Sequence, residues 1–257
     1  MLGKRLIKTN SGGTSTPFTS ITYLRDENVG VYTQSYYGIS DLSYNPADGL
    51  IYSTSRSGVG YWNLAKTDIS LNTVTTITQG TSPLYGFGGI YVNNDTLYVY
   101  ENLTQELVEY TKSGSRGITI ISGDSSRCIT YNSKLDEVLI NCELSTNEFG
   151  FKVYDGTTGV FKRSISIPIP LKFGAFGVQW VDTGGDGVLF VSTYDTSLIY
   201  QLNYDGTETG LSFDASAYDR QYGTRSMTFV PSTNELIVST ANNTVAPRNM
   251  ARVFQLS

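Results

Sequence analysis

The stretch Leu42-Ser-Tyr-Asn-Pro-Ala-Asp-Gly-Leu-Ile-Tyr-Ser-Thr54 is a short apolar strand, a polar turn and a second apolar strand, and it returns four more times along the chain. The copies are Ile90-Tyr-Val-Asn-Asn-Asp-Thr-Leu-Tyr-Val-Tyr100, Ile129-Thr-Tyr-Asn-Ser-Lys-Leu-Asp-Glu-Val-Leu-Ile140, Gln179-Trp-Val-Asp-Thr-Gly-Gly-Asp-Gly-Val-Leu-Phe-Val-Ser-Thr193 and Met227-Thr-Phe-Val-Pro-Ser-Thr-Asn-Glu-Leu-Ile-Val-Ser-Thr240. Their anchors Leu50, Leu97, Val138, Val188 and Leu236 are 47, 41, 50 and 48 residues apart. A second series, Trp62, Tyr110, Tyr154, Tyr204 and Phe254, runs beside the first, and each aromatic is expected to close a third strand. Turns such as Tyr154-Asp-Gly-Thr-Thr-Gly159 and Tyr204-Asp-Gly-Thr-Glu-Thr-Gly210 then lead into a more variable fourth strand, as in Val160–Ile165.

Four strands per unit of forty to fifty residues is the arithmetic of a β-propeller blade. A single twisted sheet of this kind cannot bury both of its faces, so each unit must stack on its neighbours. The expectation is an all-β, single-domain β-propeller over residues 1–257. Its blades fall near 35–80, 81–123, 124–170, 171–218 and 219–257, with residues 1–34 as a closing segment. The last copy ends after its third strand, Arg252–Leu256, so Ile21–Leu24 or Val29–Thr33 must supply the missing outer strand. Residues 1–34 hold more strand-like sequence than one outer strand needs, which leaves a degenerate sixth blade as an alternative. Asn102–Tyr110 has helical spacing at Leu103, Leu107 and Tyr110, but its place in the repeat assigns it to a loop and a third strand.

The copies, above all Gly49-Leu-Ile-Tyr-Ser-Thr-Ser55 and Asn234-Glu-Leu-Ile-Val-Ser-Thr240, resemble the strand hairpins of NHL/YVTN-type propellers across residues 35–257. That broad group includes metal-dependent lactonases, quinoprotein-like sensors and pure binding modules. The lactonase-like members hold calcium in the channel through Glu, Asp and Asn, a set that maps onto no matching positions here. The resemblance therefore implies a fold and no particular activity.

Composition narrows the chemistry. The 257 residues include no histidine, which excludes Ser-His-Asp hydrolases, Cys-His proteases, HExxH zinc enzymes and facial-triad iron enzymes. With 18 basic and 23 acidic residues the formal charge is -5, the wrong sign for a general nucleic-acid surface. The basic N-terminus Met1–Asn10 lacks the apolar region of a Sec signal peptide, and no run of 18 apolar residues predicts membrane insertion. Richness in Ser, Thr, Asn, Gly and Tyr is surface-like, and Asn94, Asn102 and Asn242 open chance-level glycosylation sequons. A surface composition without an export signal suggests a virion component, in contact with other virion proteins, with a cytoplasmic location as the alternative. Asp182-Thr-Gly-Gly-Asp186-Gly187 imitates part of a calcium loop, but Gly184 and Thr193 occupy ligand positions, so it reads as a tight turn. No cofactor or metal motif is present.

Aromatic-Gly pairs at Tyr37-Gly38, Tyr85-Gly86, Phe173-Gly174 and Tyr222-Gly223 precede the inner strands, where outer-to-inner connections gather at one mouth of the channel. Two roles fit them: wedges between blades, or a ring of platforms for a glycan or a protein partner. The candidate ligand-binding residues are Tyr37, Tyr85, Phe87, Phe173, Phe176, Tyr222, Arg127, Arg225, Asp41 and Asp124, with Asp219 and Gln179 nearby. Cys128 and Cys142 flank one hairpin. A turn centred on Leu135 makes them a candidate disulfide, and two buried thiols are the alternative. The leading functional expectation is a non-catalytic binding propeller. Carboxylate-based glycoside hydrolysis, which needs no histidine, is one alternative, and a scaffold docking through its blade edges is another.

Overall fold

The computed structural model describes residues 15–28, 39–56, 62–71, 74–80, 87–123, 126, 128–146, 148–167, 175–193, 197–215, 224–241 and 249–257. Each repeat becomes one four-stranded antiparallel sheet. Blade 1 holds β2 (Ile39–Asn45), β3 (Leu50–Arg56), β4 (Trp62–Thr67) and β5 (Val74–Gly80). Blade 2 holds β6 (Phe87–Asn93), β7 (Thr96–Glu101), β8 (Glu106–Thr111) and β9 (Arg116–Ser122). Blade 3 holds β10 (Ile129–Asn132), β11 (Glu137–Ser145), β12 (Glu148–Asp155) and β13 (Phe161–Ser166). Blade 4 holds β14 (Ala175–Val181), β15 (Val188–Thr193), β16 (Leu198–Asn203) and β17 (Glu208–Asp214). Blade 5 holds β18 (Thr224–Val230), β19 (Glu235–Ala241), β20 (Asn249–Leu256) and, from the other end of the chain, β1 (Ile21–Asn28). The inner strands β2, β6, β10, β14 and β18 each neighbour the next, and β18 returns to β2, so the ring is closed with five blades. No sixth blade occurs among the described residues.

The core confirms why the units need each other. Side chains on a second strand alternate between the two junctions: Leu139 packs toward blade 4 and Ile140 toward blade 2. The same alternation sends Ile51 toward blade 5 and Tyr52 toward blade 2. Five apolar clusters result, one at each blade junction, and none lies within a single sheet. Each turn between first and second strands carries a left-handed residue, namely Gly49, Asn94, Asp136, Gly187 or Asn234, which accounts for the Gly, Asn and Asp in the repeat. All five outer-strand ladders contain a register shift, and such bulges blunt exposed sheet edges.

The closing strand is Ile21–Asn28, which pairs with β20 from Ile21↔Leu256 to Asn28↔Met250. Two details differ from the sequence expectation. Trp62 opens β4 instead of closing it, because the β3–β4 connection places it opposite Arg56, and Thr67 takes the terminal position of that strand. Cys128 and Cys142 do not face each other and no disulfide joins them. The β10–β11 register runs Ile129↔Ile140, and the Asn141 N–H donates to the Cys128 carbonyl at 3.1 Å. A turn shifted by half a residue from Leu135 thus sends the two thiols to opposite faces of the sheet.

At the turn end of the inner strands, asparagine latches one blade to the next. Asn132 Oδ1 accepts the N–H groups of Lys134 (3.0 Å) and Leu135 (3.2 Å), while its Nδ2 donates to the Asp186 carbonyl of blade 4 at 3.2 Å. Asn45 does the same toward Asn94 of blade 2, also at 3.2 Å. Asn132 is fully buried, so Asn132→Ala is expected to cost about 1–3 kcal/mol in urea unfolding, because it removes the partner of two turn N–H groups and of the Asp186 carbonyl at once. Ser133→Ala, on the exposed turn beside it, should change stability by less than about 0.5 kcal/mol.

Candidate functional site

The inner strands run from the connecting-loop face to the hairpin face, and one column of the repeat decides what lines the channel between them. In the five quoted copies the second residue after Leu42, Ile90, Ile129, Val178 and Met227 is Tyr44, Val92, Tyr131, Trp180 and Phe229. All five of these line one cavity of about 470 Å³ that opens among the hairpin turns at Pro46, Asn94, Ser133, Asp182 and Pro231. The column between them sets the ring's geometry. Ser43 Oγ accepts the Val92 N–H (3.1 Å), Thr130 Oγ1 the Trp180 N–H (2.9 Å), and Thr228 Oγ1 the Tyr44 N–H (2.7 Å). Each of these bonds crosses from one blade to the next, so the aromatic ring is held by main chain.

In blade 2 the hydroxyl of that column is replaced by Tyr91, whose ring is sandwiched between Tyr98 (4.6 Å, 5°) and Tyr131 (5.0 Å, 14°). Offset-stacked aromatic rings of this kind make a stiff wall. Tyr131 donates its hydroxyl to Asp136 and accepts from Asn93 Nδ2, and burial followed by the Asp136 bond raises its pKa. Burial likewise pushes the Tyr91 phenol well above its ordinary value. Trp180 is 8% exposed and donates Nε1–H to the Asp186 carbonyl at 2.9 Å. Among the described residues, the cavity lining contains one carboxylate, Asp182 at the rim, and no amine or guanidinium. Burial opposes the charge on Asp182, but its ion pair with Lys134 and the Gly184 N–H hold its carboxyl below the ordinary range. The turn between Asp182 and Gly187 is tight, with Gly184, Gly185 and Gly187 all at positive φ, as its sequence suggested.

At the inner end of the cavity stands Asp41, one of the residues singled out from sequence. It is 1% exposed. Its carboxylate accepts the N–H of Leu42 at 2.9 Å and of Ile90 at 3.0 Å, and the Ile129 N–H adds a weaker attraction to the same carboxylate. Burial pushes its pKa well up, and the three N–H groups oppose that rise without cancelling it. Close approach of β10 makes the arrangement possible: a Cβ on Gly89 would lie 2.7 Å from the Ile129 nitrogen. Gly89 thus serves the packing of β6 against β10.

The remaining predicted residues separate. Phe87 is 3% exposed in the core between blades 1 and 2, edge-on to Tyr110 at 5.6 Å, and so lies away from any mouth. Tyr37, Tyr85, Asp124, Arg127, Phe173 and Tyr222 lie outside the described residues, as do the side chains of Phe176 and Arg225. Gln179 lines the cavity. The aromatic column was readable in the aligned copies, since four of its five members are aromatic. On the rim, Ile118, Val160 and Phe161 are 65%, 62% and 51% exposed. Gly159, at φ +67°, seats the turn before Val160 against Ile120 of the neighbouring blade.

No protein-family model matches the chain, and no curated protein resembles it in sequence. Solved structures do resemble it in fold. A glutaminyl cyclase from Myxococcus xanthus superposes with a TM-score of 0.64 at 12% identity, covering 92% of this chain and 97% of that one. A chain of a nidogen/laminin complex gives 0.52 at 15% identity over 79% and 76%. A luciferin-regenerating enzyme gives 0.52 at 9% identity over 92% and 95%. Two enzymes and a nidogen/laminin complex on one architecture show the propeller fold and leave the activity to the site.

Proposed function

We propose that this protein is a binding propeller that receives a saccharide through the hairpin-side mouth of its channel. The observation that carries the reading is the nearly uncharged cavity of about 470 Å³ ringed by Tyr44, Tyr131, Trp180 and Phe229. Its size suits a small ligand, and aromatic faces with few charges suit a neutral, polyhydroxylated one. The Ser, Thr, Asn and Tyr-rich composition supports a place on an exposed surface, such as that of a virion or phage particle. On a glycan array, Tyr44→Ala and Phe229→Ala are expected to weaken binding at least tenfold, while Tyr85→Ala and Tyr222→Ala leave it unchanged. Loss with the second pair alone would move the ligand to the connecting-loop face, and a parent protein that binds no glycan would overturn the saccharide reading.

A second reading, docking in a larger assembly through the rim, is favoured by the exposed Ile118, Val160 and Phe161. Ile118→Lys with Phe161→Lys should then abolish assembly while leaving glycan binding intact. The carboxylate-hydrolase alternative needs two acids facing each other across the channel; among the described residues the candidates are Asp41 on β2 and Asp182 at the cavity rim.

A further inference from the structure

The three residues whose N–H groups converge on Asp41 are Leu42, Ile90 and Ile129, and the same three residues close the inner end of the cavity. They come from β2, β6 and β10, the inner strands of three successive blades. Covalent connection between these residues runs through whole blades, so the carboxyl is the short link between them. The aligned positions in the other copies are Gly89, Cys128, Gly177 and Ser226, none of which carries a carboxyl. We propose that Asp41 is the positioning residue of the channel cavity, and that gain or loss of a proton on its carboxyl changes the spacing of Leu42, Ile90 and Ile129 and with it the shape of the ligand seat. The consequence for a ligand rests on the binding reading above, whereas the coupling of carboxyl to cavity does not.

The chemistry of the group gives the direction. An ionised carboxylate only accepts, and its two oxygens can take three N–H donors at once. Protonation turns one oxygen into a donor among donors, so the N–H contacts on that oxygen weaken and the strand they hold is free to shift. Burial favours the protonated form, which brings the transition above the ordinary aspartate range. The other titratable side chains on β2, β3, β6 and β10, among those described, are Tyr44, Tyr52, Tyr91 and Tyr131. Burial first, and then a bonded carboxylate, raises Tyr52 to about 12 and pushes up Tyr131, while burial and then the neighbouring tyrosines push up Tyr91. Asp41 is the one carboxyl among these groups, and burial moves it up from the ordinary aspartate range.

The test is an amide NMR titration of the ligand-free, full-length protein from pH 4 to pH 8. The N–H resonances of Leu42, Ile90 and Ile129 should move with one shared midpoint, and the Trp180 indole N–H and the Phe229 amide should follow it. In Asp41→Asn all five should stay flat. Asp41→Ser, which copies the blade 5 residue, serves the same purpose should the amide variant not fold. If the three amides shift while Trp180 and Phe229 do not, Asp41 does not position the cavity. If the three amides do not shift together, the clasp itself is refuted. A protein that shows the shared midpoint but binds no glycan would keep this inference and lose the binding reading.

Discussion

Deleting residues 1–28 is expected to abolish cooperative unfolding altogether, leaving a chain that aggregates or melts without a transition. The segment does three things at once. β1 forms the whole outer ladder of blade 5 against β20, and its Arg25 reaches two strands inward to Glu235 at 2.8 Å. Ahead of it, Phe18 sits between Phe190 of blade 4 (6.0 Å) and Phe229 of blade 5 (6.2 Å), with its N–H and C=O both bonded to the Gln201 side chain. The deletion thus exposes the β20 edge and a junction core together. Their combined loss is on the order of 5 kcal/mol or more, comparable with the total stability of a domain. Because every blade relies on its neighbours for one buried face, an opened ring cannot fall back on four intact blades. Circular dichroism melting of the truncated chain decides the matter. A cooperative transition within a few degrees of the parent would show that the ring does not depend on its closure. A synthetic peptide spanning 15–28 should restore the transition.

Why the ring was readable and the site only half so follows from the same geometry. Each copy carries its own turn chemistry, so the hairpin signal was stated five times, and one weak copy such as Asn93-Asn-Asp-Thr96 did no harm. The N-terminal strand was legible by subtraction, since the last copy lacked an outer strand. Alternation with period two then ceases to help, because both faces of a blade are buried and an aromatic on either reads alike. Tyr44 and Trp180, which wall the cavity, and Phe87, which packs between blades, are indistinguishable on that criterion. Only the column position separates them. The cysteines show the resolution limit of turn-centring: half a residue of error in the centre reverses which face a side chain takes. Trp62 shows the corresponding limit for loops, since the β3–β4 connection has no repeat to fix its length. Asp41 was legible as a polar group near the start of an inner strand, but its burial and the N–H groups that offset it show only in the fold.

Asp41→Asn is expected to flatten the dependence of stability on pH, with the variant gaining on the parent as pH rises from about 4 toward neutrality. In the unfolded chain Asp41 releases its proton near the ordinary aspartate value, whereas burial holds the proton on the folded protein to a higher pH. Between those limits the native state binds one more proton than the unfolded state. Parental stability therefore falls with rising pH by about 1.4 kcal/mol per unit for as long as the window lasts. Other carboxylates pull the opposite way, but in a different window. Glu101 and Glu137 are desolvated, yet bonds from Arg116 and Arg163 hold them below the ordinary range, and hydrogen bonds from Thr158 hold Asp155 at about 2. Their stabilisation is present above the unfolded values and is lost only as pH falls through the lowered ones. The amide substitution itself costs something, because Asn keeps an acceptor oxygen but turns an NH2 toward three donors. That cost does not depend on pH, so it displaces the variant's curve without tilting it. Urea unfolding of both proteins at half-unit steps from pH 4.5 to 7.5 isolates the slope. Parallel curves would mean that Asp41 titrates in the fold as it does in the unfolded chain. A variant that instead loses ground as pH rises would mean that the three N–H groups outweigh burial, and that the carboxylate is the form the fold prefers.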